Sequence, residues 1–71
     1  MTYEIEVMRK VFDNEIAKSI DVGPDKDGLG CIEIDGGDEY GRLVLQPQHA
    51  LFLAKAITAC ALEMGAEPIT N

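Results

Sequence analysis

The sequence predicts an α+β fold in which a four-stranded antiparallel meander carries one C-terminal helix packed on a face, in the order ββββα. Three observations lead there. Residues 46–65, QPQHALFLAKAITACALEMG, have the start, the period and the stop of a helix. Before them, short runs alternate apolar and polar residues with the period of two that a half-buried strand requires. Short turn-rich segments join these runs, and short connections favour antiparallel neighbours.

Thr2 to Phe12 is the first run, with Tyr3, Ile5, Val7 and Val11 on one side and Glu4, Glu6, Met8 and Lys10 mainly on the other. Asp13-Asn14 supplies turn chemistry, and Glu15 to Val22 returns with Ile16, Ile20 and Val22 sharing a face. A helix competes for this stretch. Ile5, Met8, Phe12, Ile16 and Ile20 also recur at three- and four-residue spacing, and Glu6 with Lys10 makes an i,i+4 pair. The β-branched residues and the turn pair favour the hairpin, and the helix stays open as the alternative. Residues 23–30, GPDKDGLG, form a loop. Cys31 to Asp35 is a short strand with Ile32 and Ile34 inward, residues 36–41 are the next turn, and Arg42 to Leu45 returns with Leu43 and Leu45 inward.

In the helix, Pro47 suits the first helical position and makes Gln46 the N-cap. Gly65 stands where a left-handed residue ends a helix, and Pro68 blocks continuation. At 100° per residue, Ala50, Leu53, Ala54, Ile57, Cys60, Ala61 and Met64 share a broad face, the expected core face. The far side is not polar: Leu51, Phe52 and Leu62 stand there among Gln48, Lys55, Thr58 and Glu63. A helix apolar nearly all round is normally covered on more than one side, so these three residues are the candidate interface with another chain. As scattered surface residues they would be unremarked, since exposed apolar side chains are common.

Seventy-one residues make one expected domain, 1–65, followed by a frayed tail, 66–71. A core of this size seldom supplies more than about 3–5 kcal/mol, and oligomerisation is a usual supplement. Cys31 and Cys60 are expected as buried reduced thiols, because two cysteines do not make a secreted disulfide framework. The opening MTYEIEVMRK lacks the basic and apolar regions of a signal peptide, so a cytoplasmic location is expected.

The net charge is −7, and residues 21–41 hold seven acidic residues against Lys26 alone. Such a field repels nucleic acid and anionic membranes, because phosphate binding needs basic residues. Topology prompts comparison with dimeric single-stranded nucleic-acid binders, but those need a basic groove with stacking aromatics. Within the acidic stretch, Asp35, Asp38, Glu39 and Tyr40 are the candidate partner-binding residues, an aromatic anchor beside carboxylates. The plain alternatives are a solubilising charge and a tyrosine that packs on the fold.

Asp25 and Asp27 fall at positions 1 and 3 of an EF-hand-like loop and are the candidate metal ligands. Leu29 at position 5 and Gly36 at position 12 replace two ligands of that pattern, so a solvated acidic turn is the expected state and no cofactor is expected. His49 is a lone imidazole in the first helical turn, without a second ligand or nearby nucleophile. With no convergent acid, base and nucleophile, the expectation is a protein that is not an enzyme.

The segment RLVLQPQHALFLAKAI, residues 42–57, resembles the strand, then x-P-x-x-A-x-x-L-A-x-A-I/L ending of many small uncharacterised bacterial and bacteriophage proteins. The resemblance covers about the last third of the chain. It implies a prokaryotic or phage source and the β-then-α ending, with no function or site residue attached.

The expectation that follows is a non-enzymatic protein–protein interaction module, a homodimer whose acidic 21–41 region faces a basic protein partner. The alternative is a phage-type inhibitor that mimics nucleic acid and occupies the groove of a host enzyme. Carboxylates in place of phosphates would drive such an association.

Overall fold

The computed structural model describes residues 1–69, and the elements come in the order read from the sequence. Strands β1 (Tyr3–Val11), β2 (Asn14–Pro24), β3 (Ile32–Asp35) and β4 (Arg42–Leu45) form one antiparallel sheet in the order β1-β2-β3-β4. A single helical turn, α1 (Gly37–Tyr40), interrupts the β3–β4 connection, and α2 (Pro47–Glu63) closes the chain. Residues 66–69 of the expected tail carry no helix or strand, and the last two residues lie outside those described.

Residues 3–20 form the hairpin rather than the competing helix, with Tyr3 opposite Val22 and Ile5 opposite Ile20. The turn falls one residue earlier than expected, at Phe12-Asp13, with Val11 and Asn14 as the closing pair. Charge favours this register next to the turn, although the register also sets Glu4 opposite Asp21. The observed register sets Lys10 opposite Glu15, whereas a turn at Asp13-Asn14 would set Arg9 directly opposite Lys18. The consequence is that Phe12 adopts φ 54°, a conformation disfavoured for a residue with a Cβ.

Directly opposed residues share a face, so the registers sort the whole sheet. One face gathers Tyr3, Ile5, Ile16, Ile20, Val22, Ile32, Ile34, Leu43 and Leu45; the other gathers Glu4, Glu6, Glu15, Asp21, Glu33 and Asp35.

The helix begins and ends as its sequence requires. Gln46 is extended at φ −61°, ψ 145°, Pro47 follows it, and the Ala50 N–H donates to the Gln46 carbonyl at 2.9 Å. At the other end, Ala66 N–H donates to Ala61 O at 3.0 Å and Gly65 N–H to Leu62 O at 3.1 Å, with Gly65 at φ 101°. These two bonds close a Schellman motif and satisfy carbonyls the helix leaves unpaired.

Packing departs from the expectation. Among the described residues no hydrophobic side chain is buried, and of the seven expected on the core face of α2 only Ala50 and Ala61 are even half-buried. Cys60, expected buried, is exposed, and Cys31 is half-buried; both are free thiols. Strand lengths and the position of α2 together give the reason, since of the longer β1 and β2 only Val22 lines the groove under the helix. At four residues each, β3 and β4 offer about 13 Å of strand, whereas the 17 residues of α2 extend about 25 Å. Helix and sheet touch only sparsely.

The accessible surface is 6089 Å² for a chain of 7.7 kDa. A folded monomer of that mass exposes about 4,300 Å², leaving an excess of roughly 1,800 Å². An extended tail after Gly65 accounts for about 600 Å² of that excess at most. The radius of gyration, 13.6 Å, likewise exceeds the about 11 Å of a compact chain of this length.

Candidate functional site

Two surfaces separated by the sheet are the candidates, and each begins with strand alternation. On the apolar side, the first half of α2 stands over the central β2–β3 part of the sheet and leaves an open groove between them. Val22, Ile32 and Ile34 form its floor, Ala50, Leu53 and Ile57 its helical wall, and its volume is about 480 Å³. Beyond Ile57 the sheet drops away. The next depression along α2, about 490 Å³, is lined only by the helix and the tail, from Ile57 and Leu62 to Pro68 and Ile69.

The sequence-derived interface residues all stand on this bare helix. Leu51 is 63% exposed, Phe52 58% and Leu62 43%. Leu51 lines the groove, while Phe52 lies 5.6 Å from the His49 ring, centroid to centroid. Reading the sequence alone misses Ile57, which is 60% exposed, because its helical position marks it for the core. Tyr3, Ile5, Ile16 and Leu43 on the sheet are exposed in the same way. The available signal was the mismatch between an all-round apolar helix and two four-residue strands.

Polar groups intrude on the apolar side at one place. Arg9 and Lys18 both lie over the Tyr40 ring, with Arg9 Cζ 4.8 Å and Lys18 Nζ 5.6 Å from its centroid. Glu39 completes the group, accepting from Arg9 Nη1 at 3.1 Å and standing 3.6 Å from Lys18 Nζ. Gly36 makes room for Tyr40, since a Cβ there would come within 2.5 Å of the Tyr40 Cβ.

On the opposite face lies a chain of ion pairs. Glu33, 4% exposed, meets Arg42 Nε at 3.1 Å and Lys26 Nζ at 3.8 Å. Arg42 also reaches Asp27 at 3.2 Å, and Lys26 reaches Asp35 at 3.5 Å. Beside this network, Glu4, Asp21 and Asp35 form a row of carboxylates across three strands, Glu4 opposite Asp21 and Asp21 opposite Asp35. Like charges directly opposed destabilise a sheet. The Gly37 N–H, donating to Asp35 at 2.9 Å, and then nearby Lys26 hold the Asp35 carboxyl below its ordinary pKa against the opposing effect of desolvation.

The candidate metal residues serve the loop instead. Asp25 accepts from the N–H groups of Leu29 and Cys31, both at 2.9 Å, and these two bonds hold its pKa below the ordinary carboxylate value. Asp27 faces Arg42. Among the described residues no group of three or more His, Cys, Asp and Glu side chains is placed to hold a metal ion.

The candidate partner-binding set is divided by the sheet. Asp35 belongs to the carboxylate row, whereas Glu39 and Tyr40 lie with Arg9 and Lys18 on the apolar side. Asp38 stands exposed in α1. Sequence reading missed Glu4 and took Asp21 only as part of the acidic 21–41 region, because only the register brings them to Asp35. Among the described residues no helix is long and apolar enough to cross a membrane. No protein-family model, curated protein or solved structure matches the chain.

Proposed function

We propose that this chain is a non-enzymatic interaction module that works as a homodimer, joined through its apolar side and presenting its acidic sheet face to a basic protein partner. One observation carries the reading: no hydrophobic side chain is buried among the described residues, while sheet and helix both present apolar surface. A lone domain of this size has little stability to spare, and leaving its apolar surface in water removes the main driving force for folding. Without the tail's share, the excess area is about 1,200 Å² per chain, or about 2,400 Å² for two, within the about 2,000–5,000 Å² of obligate dimers.

Assembly through the apolar side leaves Glu4 and Asp21 facing solvent, beside Asp35, which Lys26 already engages. A row of like charges kept on the sheet at a cost in stability is suited to meeting Lys and Arg side chains of a partner. Nucleic-acid mimicry is the weaker reading, since Asp27, Glu33, Asp35 and Glu39 are already engaged with the chain's own cations.

Sedimentation equilibrium tests the dimer. The wild type is expected as a dimer across micromolar concentrations, and the Leu51→Glu/Leu62→Glu variant as monomer or unfolded chain. A stable wild-type monomer at every concentration overturns the reading.

A further inference from the structure

We infer that the two copies dock reciprocally, the C-terminal half of α2 in each chain lying across the bare hairpin face of the other. This rests on the homodimer reading and adds its geometry. Two apolar surfaces within one chain lack cover. One is the second half of α2 from Ile57 through its C-cap, Met64, which only the tail flanks, with Ile57 60% and Met64 82% exposed. The other is the hairpin surface around Tyr3, Ile5 and Ile16, at 59%, 46% and 51%. Within the chain they stay apart: α2 starts directly after β4 and has sheet residues opposite it only as far as Ile57.

A second copy supplies both missing surfaces at once. Pairing α2 with α2 alone would cover the helices and leave the sheets bare. Joining edge to edge through β1 would lengthen the sheet without covering either apolar surface. Helix on sheet, exchanged across a two-fold axis, covers both, and an isologous contact requires that each surface find the other's equivalent. The area agrees: an excess of about 1,200 Å² per chain, about 2,400 Å² for two, falls within the roughly 2,000–5,000 Å² of obligate interfaces. Arg9 and Lys18 do not obstruct the contact, because Tyr40 and Glu39 of their own chain already engage them. In this arrangement the two acidic faces point outward on opposite sides, so one dimer offers two identical partner surfaces.

Isotope-filtered nuclear Overhauser spectroscopy on a mixture of labelled and unlabelled wild-type chains tests the geometry without a mutation. The expected result is intermolecular contact between the Ile57 and Met64 methyl groups and the Tyr3, Ile5 or Ile16 side chains. Intermolecular contacts confined to α2 with α2, in a sample that sediments as a dimer, overturn reciprocal docking and leave the dimer standing. No intermolecular contacts in a sample that sediments as a monomer overturns both. As a second readout, Ile57→Glu is expected to weaken the dimer by about 100-fold or more, since a carboxylate would enter an apolar contact. Unchanged dimer affinity in that variant also overturns the docking.

Discussion

Phe12 and Asp25 show how single residues accept or relieve local cost in this chain. Phe12 sits at the hairpin tip, 93% exposed and at φ 54°, with no packing to offset its strain. An L-residue in that region costs roughly 1–2 kcal/mol, part of which glycine returns through its freer unfolded state. Phe12→Gly is therefore expected to raise stability by about 0.5–1 kcal/mol in urea unfolding at fixed protein concentration. A loss of stability would mean that the ring has a partner. Asp25 acts through its ionised form: with its pKa depressed in the fold, its contribution is present above the unfolded value of about 3.9 and disappears as pH falls through the folded one. Asp35 follows the same sign. Circular dichroism is expected to show the unfolding midpoint falling below about pH 4, with a shallower fall in Asp25→Asn.

At the scale of elements, the helix was the most legible part of the sequence because its signals are local. Pro47 and Gly65 act through their own backbone preferences, and both stand where the structure begins and ends α2. Gly65→Ala tests that locality. An added Cβ would meet nothing within 4 Å, so the whole effect is conformational, at φ 101°. A loss of about 1–2 kcal/mol in chemical unfolding is expected, with fraying of the last helical turn in amide exchange. The hairpin was harder to read. Its residues fit both periods, and only the pairing of β1 with β2 and of β2 with β3 shows the strand form, with the turn at Phe12-Asp13.

For the whole molecule, folding and assembly are one process if the missing core is supplied by a second copy. The melting temperature then depends on concentration. For a two-chain unit of this size, each tenfold increase in concentration is expected to raise it by roughly 4–5 °C in differential scanning calorimetry. A concentration-independent melting temperature would mean that the single chain is stable with its apolar side in water. The candidate sites were legible in part for the same reason. Leu51, Phe52 and Leu62 stood out against an expected polar face, whereas Ile57 and Met64 did not, because periodicity marks a residue as apolar-facing without showing whether anything lies opposite.

By itself the sequence determined what local rules control: the element order, the alternation that gives the sheet one apolar and one acidic face, and the caps of α2. Tertiary structure decided the rest. The register assembled Glu4, Asp21 and Asp35 into one row and set Glu39 and Tyr40 against Arg9 and Lys18 on the other side. It also decided that the apolar face stays open, because burial depends on how far a long helix reaches over two short strands, and no residue carries that distance in its own chemistry.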